Sequence, residues 1–150
     1  MSQAIATNKK AFRDYVLSEF WECGIELQGG EVKSVRAGKV NFKDAFARVD
    51  NGEVFLYNLH IDPYKQAGYL NPAADRPRRL LLHKREIRKI AEAVNIKKMV
   101  LVPTKIYFNK RGYVKIELGV GKGKKLYDKR EDIKKRDIQR QIGRLMRGRR

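Results

Sequence analysis

The sequence has little of what a disulfide-stabilised, membrane-spanning or secreted protein needs. Its single cysteine, Cys23, excludes an internal disulfide and a cysteine-rich zinc site, and it fits a reducing cytosol. No apolar run approaches the roughly 18 residues of a membrane helix. The first ten residues lack the basic-then-apolar pattern of a signal peptide. We therefore expect a cytoplasmic protein that does not bind membranes.

Motifs for catalysis, metals and nucleotide cofactors are also missing. His60 and His83 are the two histidines of the chain, and no serine, cysteine or carboxylate pattern pairs a nucleophile with a base. Two histidines without a carboxylate motif do not indicate zinc, and the glycines at 119, 121 and 123 do not match a phosphate-binding loop. We expect no enzyme, no metal and no cofactor. The alternative is an RNA-modifying or RNA-processing enzyme that uses one of the histidines.

Positive charge is present in excess. The 150 residues include 35 Lys or Arg against 17 Asp or Glu, a net charge of +18, and 42% of them are apolar. Residues 122–150 carry 13 basic and four acidic residues, which is half of that excess. Such a segment repels itself when free, and nucleic acid is a polyanion that releases counterions when cations bind it. We predict a mobile segment 1–13, a folded domain 14–121 and a basic tail 122–150 that is disordered when free.

Hydrophobic periodicity predicts a mainly β domain. The predicted strands lie at 14–28, 44–49, 53–59, 99–108 and 113–120, with helices at 31–36 and 84–94 and a loop at 60–80. Asn51-Gly52 predicts a two-residue hairpin turn, Cys23-Gly24 a bulge or a bend in one long strand, and Pro103 an edge or a bulge. Five strands with a helix between the third and the fourth are the layout of an OB-type barrel, which often binds oligonucleotides. We expect an antiparallel OB-type barrel of five to six strands with two or three short helices.

Cations cluster where the predicted loop runs into the second helix. Seven of them lie within 14 residues: Arg76, Arg78, Arg79, Lys84, Arg85, Arg88 and Lys89. Guanidinium groups bind phosphate in a forked geometry, and ammonium groups add point charges. A solvated helix face is the alternative, but the net charge of the chain favours contact with phosphate.

The end of the tail has the pattern of an amphipathic helix. Its apolar positions recur at helical spacing: Ile138, Ile142, Leu145 and Met146. Arginines recur on the opposite side: Arg136, Arg140, Arg144 and Arg147. We predict that this helix forms only on binding, and a helix docked on the barrel is the alternative.

Four segments carry motifs that point to one protein family. They are residues 30–39 (GEVKSVRAGK), 53–58 (EVFLYN), 79–87 (RLLLHKREI), and 121–125 (GKGKK) followed by Asp128-Lys129-Arg130. In this order, over residues 8–138, the chain resembles the small protein B family, the bacterial partners of transfer-messenger RNA. The resemblance implies a non-enzymatic OB-type adaptor that binds the tRNA-like domain of that RNA. It would deliver the RNA to stalled ribosomes in trans-translation, a form of ribosome rescue. A structural ribosomal OB-fold protein is a further alternative.

The resemblance implies an RNA-binding set on the barrel. Asn8, Glu22, Leu81 and His83 match family positions implicated in RNA binding. A carboxylate such as Glu22 can accept hydrogen bonds from base or ribose groups, and an ion pair with the basic loop is its alternative role. With the segment 31–36 and the basic cluster, the predicted RNA-binding residues are Asn8, Glu22, Glu31, Lys33, Ser34, Arg36, Arg78, Arg79, Leu81, His83, Lys84 and Arg85.

The resemblance also implies that the tail enters the decoding centre and the empty mRNA channel of the 70S ribosome, where it becomes helical. The predicted ribosome-binding residues are Lys124, Lys125, Tyr127, Asp128, Lys129, Arg130, Arg136, Ile138, Arg140 and Arg144. Tyr127 and Ile138 depart from the family, since many members have His and Trp there. Tyr127 can still stack on a base, whereas Ile138 loses stacking. We expect a monomer whose partners are transfer-messenger RNA and the small-subunit rRNA.

Overall fold

A computed structural model describes residues 4–65 and 72–124. In those ranges it has nine strands and three helices, so the predicted mainly β class is confirmed. They are β1 Ala4–Thr7, α1 Lys9–Asp14, β2 Tyr15–Ile25, α2 Gly29–Arg36, β3 Val40–Asn41, β4 Phe46–Asp50, β5 Glu53–Tyr57, β6 His60–Ile61, β7 Arg78–Leu81, α3 Lys84–Asn95, β8 Val100–Phe108 and β9 Val114–Gly123. None of these helices is both long enough and apolar enough to cross a membrane.

Six of the strands close into an antiparallel barrel. They are hydrogen-bonded in the order β8-β4-β5-β7-β2-β9, and β9 pairs back onto β8. This ring agrees with the five to six strands that the sequence predicts. Outside the ring, β1 adds to β8, and β3 pairs with β6 in a separate two-stranded sheet.

Alternating side chains fill the barrel, as the periodicity of β9 predicts. Val114, Ile116, Leu118 and Val120 are all buried in one core cluster, to which α3 contributes the fully buried Ile90. Burial at every second position follows from the two-residue repeat of a strand. On the opposite face of β9, Lys115 and Glu117 are partly exposed, whereas Gly119 and Gly121 are buried.

The predicted hairpin turn between β4 and β5 is confirmed. Asn51 and Gly52 have φ angles of 52° and 76°, and Asp50 pairs directly with Glu53. Both central residues with positive φ define the tight turn that matches the twist of a hairpin. The bulge predicted at Pro103 is also found, since the register of β8 with β9 shifts between Pro103 and Lys105.

The bulge predicted at Cys23-Gly24 is wrong, because those residues pair in regular register with β9. The register of β2 shifts instead between Leu17 and Glu19. The cause lies in β9, where β2 approaches so closely that a Cβ on Gly121 would lie 1.9 Å from the carbonyl oxygen of Val16. The glycines at 119 and 121 thus permit close contact between the strands.

The N-terminal segment predicted as mobile over 1–13 is ordered over residues 4–13. Strand β1 pairs with β8, and the Asn8 amide donates to the Thr104 carbonyl at 2.7 Å. Ala11 is 1% exposed, so α1 is packed against the barrel. The sequence does not predict this packing of α1, because the helix is short and polar and Ala11 is its one buried residue.

The predicted loop 60–80 contains two strands, β6 and the start of β7. Strand β7 pairs with both β5 and β2 and is needed to close the ring. Its inward residues are Arg78 and Leu80, and a buried arginine removes the apolar alternation that marks a strand. At the other end of the domain, β9 continues to Gly123, two residues beyond the predicted end of the folded domain at residue 121.

Candidate nucleic-acid interface

A surface groove brings together three of the four residues that the family resemblance singles out. Glu22 lies on β2, Leu81 on β7, and His83 is the N-cap of α3. The groove has a volume of about 480 Å³. Its lining residues are Glu22, Gly24, Leu81, Leu82, His83, Glu86 and Lys115. Their juxtaposition follows from the pairing of β2 with β7, which puts Gly24 opposite Leu81.

Glu22 is held in place by a neighbouring tyrosine. The Tyr107 hydroxyl donates to Glu22 Oε2 at 2.5 Å, while Oε1 accepts no hydrogen bond from the described residues. Burial, and then the hydrogen bond to Glu22, raise the pKa of the Tyr107 phenol, so it stays a donor at neutral pH. One carboxylate oxygen of Glu22 is therefore available to a donor on a ligand, and among the described residues Glu22 does not form the ion pair with the basic loop that was its alternative role.

Leu81 gives the groove an apolar wall. It is 46% exposed, although its neighbour Leu80 on the same strand is buried in the core. A Cβ on Gly24 would come within 3.1 Å of the Leu81 Cβ, so the glycine makes room for this side chain. An exposed leucine beside a fixed carboxylate can contact a ribose or base face while the carboxylate accepts its hydrogen bonds.

The N-terminus of α3 adds positive charge beside the groove. The His83 amide donates to Glu86 Oε1 at 2.9 Å, which satisfies one free N–H of the helix. Lys84 and Arg85 follow in the first turn, and both are exposed. Cations are unfavourable at the positive end of a helix, and an anionic ligand would offset that cost. This end of α3 is suited to a phosphate.

Three further predicted cations lie on the surface with local partners. Arg79 lies between Glu26 at 3.1 Å and Glu53 at 3.2 Å. The Lys33 Nζ is 5.0 Å from the Tyr64 ring centroid, and the Arg36 guanidinium is 5.4 Å from that of Phe108. Any phosphate would therefore compete with these contacts.

Three residues of the predicted set are buried, which corrects their expected contact with RNA. Glu31 is 4%, Ser34 2% and Arg78 0% exposed. Arg78 donates from Nε to Glu31 Oε2 at 2.7 Å and from Nη1 to the Leu59 carbonyl at 2.5 Å. Arg76 binds the other Glu31 oxygen. These side chains fasten α2 to β7, because a buried charge must be paired.

The electrostatics of this buried cluster favour the charged carboxylate. Burial by itself would raise the pKa of Glu31, but hydrogen bonds from Arg76, from the Gln28 amide and from Arg78 outweigh it and hold the pKa below its usual value. Glu31 therefore remains ionised down to lower pH than an exposed glutamate.

Asn8 is also engaged within the protein, outside the groove. Its side-chain amide donates to the Pro103 carbonyl at 2.8 Å, and the residue is 9% exposed. Asn8 thus anchors the start of α1 to the bulge in β8.

Of the predicted ribosome-binding residues, the structure describes Lys124, which is exposed directly after β9. The other predicted tail residues lie outside the described part: Lys125, Tyr127, Asp128, Lys129, Arg130, Arg136, Ile138, Arg140 and Arg144.

The predicted set omits five residues around the groove, among them Gly24 and Leu82 of its lining. Lys115 and Glu86 line it, and Tyr107 orients Glu22. A signal existed for Lys115, since the alternation of β9 puts it on the outward face. None existed for Tyr107, which is 85 residues from Glu22 in the sequence.

His60, the second candidate for catalysis, lies outside the groove with both ring nitrogens engaged. Nδ1 is 2.8 Å from Asp75 Oδ1, and Nε2 is 3.0 Å from Asp62 Oδ1. Within residues 4–65 and 72–124, no group of three or more His, Cys, Asp or Glu side chains is arranged to hold a metal.

Known proteins resemble this chain over nearly its whole length. A family model described as "SmpB protein" matches residues 5–148. The chain is 57% identical over 144 residues to an "SsrA-binding protein" of Thermosipho melanesiensis, covering 96% of this chain and 98% of that protein. It is 52% identical over 149 residues to an "SsrA-binding protein" of Carboxydothermus hydrogenoformans, covering 99% of each. A chain in a solved structure described as "tmRNA-SmpB: a journey to the center of the bacterial ribosome" is 50% identical, with a TM-score of 0.67 over 79% of this chain and 83% of that one.

Proposed function

Because this chain belongs to the SmpB protein family, we propose that it is an RNA-binding adaptor of trans-translation. Its barrel binds the tRNA-like domain of transfer-messenger RNA and delivers that RNA to stalled ribosomes in the cytoplasm. The basic tail then occupies the decoding centre and the empty mRNA channel. The protein performs no catalysis of its own and needs no cofactor.

The observation that carries this proposal is the groove formed by Glu22, Leu81 and His83. It combines a carboxylate oriented by Tyr107, an exposed apolar wall and the positive end of α3. Such a site matches a folded RNA in which bases or riboses lie beside phosphates. A small-molecule site would bury most of its ligand, whereas this groove is open along the barrel surface.

The geometry of β2 supports two separate functional ends. Glu22 lies near one end of the strand, and Tyr15 begins the other, where it pairs with Gly123 of β9. Seven residues of extended strand span about 20 Å. The tail therefore starts well away from the groove, and the protein can bind RNA and reach into a second polyanionic site at once.

The non-enzymatic part of the proposal is supported by the state of His60. A general acid or base needs a ring nitrogen within reach of its substrate, and both nitrogens of His60 face aspartates of the same chain. The test is turnover of RNA by the full chain. RNA cleavage or modification that disappears in His83→Ala, with binding intact, would replace the adaptor role by an enzymatic one.

The division of labour is tested by groove variants and by a truncation after Lys124, which keeps β9 intact. Leu81→Ala and Glu22→Gln should weaken binding of the tRNA-like domain by about 10-fold each, whereas Glu19→Gln, an exposed carboxylate on the same strand, should not. The truncated chain should bind this RNA like the full chain but fail in ribosome rescue. Loss of RNA binding on truncation would contradict the proposal.

The association with ribosomes distinguishes an adaptor from a structural ribosomal protein. An adaptor should be sub-stoichiometric on purified ribosomes and enriched on stalled ones. One copy on every ribosome, regardless of stalling, would favour the structural role.

A further inference from the structure

We propose that the barrel has a second RNA contact, an aromatic platform formed by Phe12 of α1 and Phe20 of β2, on which an unpaired base of the bound RNA stacks. This inference rests on the proposed function, because its ligand is the same tRNA-like domain. It adds two residues that neither the sequence motifs nor the groove includes.

The two rings form one exposed apolar surface. Their centroids are 6.2 Å apart with an interplanar angle of 26°, and Phe12 and Phe20 are 46% and 47% exposed. An aromatic ring left half in water loses much of the free energy that its burial would give. Two such rings side by side offer a partner a flat apolar surface on which to stack.

The platform continues the face that carries the groove. Phe20, Glu22 and Gly24 occupy alternate positions of β2, whereas Trp21 packs against the core and Cys23 is buried in it. Alternate residues of a strand project from the same face and are about 7 Å apart. Phe20 thus lies one step along the strand from Glu22, a distance that a single nucleotide spans.

Cations lie on the α1 side of the platform, while the exposed carboxylates of Glu19 and Glu22 lie beside Phe20 on β2. Lys9 and Arg13 flank Phe12 in α1, and both are exposed. Lys10 is engaged with Asp44 at 3.4 Å and Arg13 with Asp14 at 3.5 Å, whereas Lys9 forms no ion pair with any described residue. Aromatic rings interleaved with cations are the combination that stacks bases while it neutralises their phosphates.

The platform is held in place before any ligand arrives. The Asn8 side chain and amide anchor the start of α1 to β8, and Ala11 is buried below the helix. A fixed ring loses little conformational freedom on stacking. This anchoring also gives Asn8 a positioning role toward RNA without direct contact.

The test measures the affinity of the full chain for the isolated tRNA-like domain, with Phe12→Leu and Phe20→Leu as the variants. Each should weaken binding about fivefold or more, because loss of one stacked base costs about 1 to 3 kcal/mol, or roughly 5- to 150-fold. The slope of affinity against salt should not change, because no charge is removed. Phe20→Tyr keeps a stacking ring and should bind like the wild type.

A matched control is Phe46→Leu, since Phe46 is 40% exposed and stacked on Tyr57 at 5.3 Å on β4. It should change the affinity less than twofold. Wild-type affinity in both platform variants, with weakened binding in Leu81→Ala, would overturn the platform and leave the proposed function intact. Wild-type RNA affinity with lost ribosome association would also overturn it, by assigning the surface to a ribosomal partner. If the wild-type chain itself does not bind this RNA, the proposed function fails.

Discussion

Replacing Glu31 by glutamine tests whether the buried charge cluster holds the domain together. The carboxylate accepts hydrogen bonds from Arg76 and Arg78 and from the Gln28 amide at 3.0 Å. Glutamine has nearly the same shape but carries no charge. Arg78, which is 0% exposed, would then keep a buried positive charge with carbonyl oxygens as its acceptors.

The expected loss of stability is large. Removal of one partner of a buried ion pair costs about 3 to 5 kcal/mol, because the other charge stays buried and uncompensated. The glutamine oxygen can still accept one of the hydrogen bonds, so we expect the lower end of this range, about 3 kcal/mol. For a domain of this size, such a loss lowers Tm by roughly 10 to 15 °C.

Urea denaturation provides the measurement, with the fluorescence of Trp21, the single tryptophan of the chain, as the signal. Trp21 is partly buried against the core and reports its unfolding. The matched control is Glu53→Gln, whose ion pair with Arg79 is at 3.2 Å with both side chains nearly half exposed. Exposed pairs contribute about 0 to 1 kcal/mol. If Glu31→Gln is no less stable than this control, the cluster does not support the fold.

The pH dependence of this difference follows from the sign of the pKa shift. The pKa of Glu31 is lower in the folded protein than its usual value of 4.5. Its contribution is therefore fully present above the unfolded pKa and is lost as pH falls through the folded pKa. The stability difference between the wild type and Glu31→Gln should be constant near neutral pH and shrink below about pH 4.5. A difference that grows toward acid pH would contradict this sign.

Three further predictions concern single positions. Gly121→Ala should destabilise the domain by about 3 kcal/mol or more, because the added Cβ would clash with the backbone of β2. Gly123→Ala should change the stability little, because the nearest atom to its added Cβ is 4.0 Å away. Equal melting curves for the two variants would refute this prediction. Burial, and to a smaller extent nearby glutamates, raise the pKa of Cys23 to about 12. A thiol reagent at pH 8 should therefore label Cys23 only after urea unfolds the chain. Fast labelling of the native protein would contradict this prediction. Asn8→Ala should lower the free energy of unfolding by about 1 to 2 kcal/mol and should weaken RNA binding. In a Phe12→Leu background, the same change should not weaken RNA binding further. An additive loss of affinity would indicate that Asn8 contacts the RNA directly.

The elements that the sequence predicts well are those whose two faces differ in polarity. Strand β9 alternates between buried valine, isoleucine or leucine and outward residues, and the turn at Asn51-Gly52 needs two positive φ angles that those residues tolerate. Both signals are local, so they need no knowledge of the rest of the fold. The number of strands in the ring is harder to predict from the sequence. Strand β7 has a buried arginine, Arg78, at a position where an alternating strand pattern would have an apolar residue.

The groove residues could be proposed from motifs, but the buried cluster could not. Glu31 and Arg78 are 47 residues apart in the sequence, and nothing local distinguishes a glutamate inside an ion pair from one in water. The motif positions Glu22, Leu81 and His83 do meet in space, because β2 and β7 are neighbours in the ring. The sequence does not show which of the clustered cations are exposed to solvent.

The exposure of the cations changes the expected salt dependence of RNA binding. Arg76 and Arg78 neutralise Glu31, and Arg79 lies between two carboxylates, so three of the seven clustered cations are occupied within the protein. The exposed remainder is Lys84, Arg85, Arg88 and Lys89. Because affinity falls with log salt in proportion to the number of phosphates neutralised, Lys-to-Gln and Arg-to-Gln changes at these four positions should each lower the slope by about 0.7 to 0.9. Arg79→Gln should lower it by less, since its charge already faces Glu26 and Glu53. An equal loss of slope at Arg79 would mean that RNA displaces both carboxylates, and that the ion pairs of the free protein do not limit its contacts with phosphate.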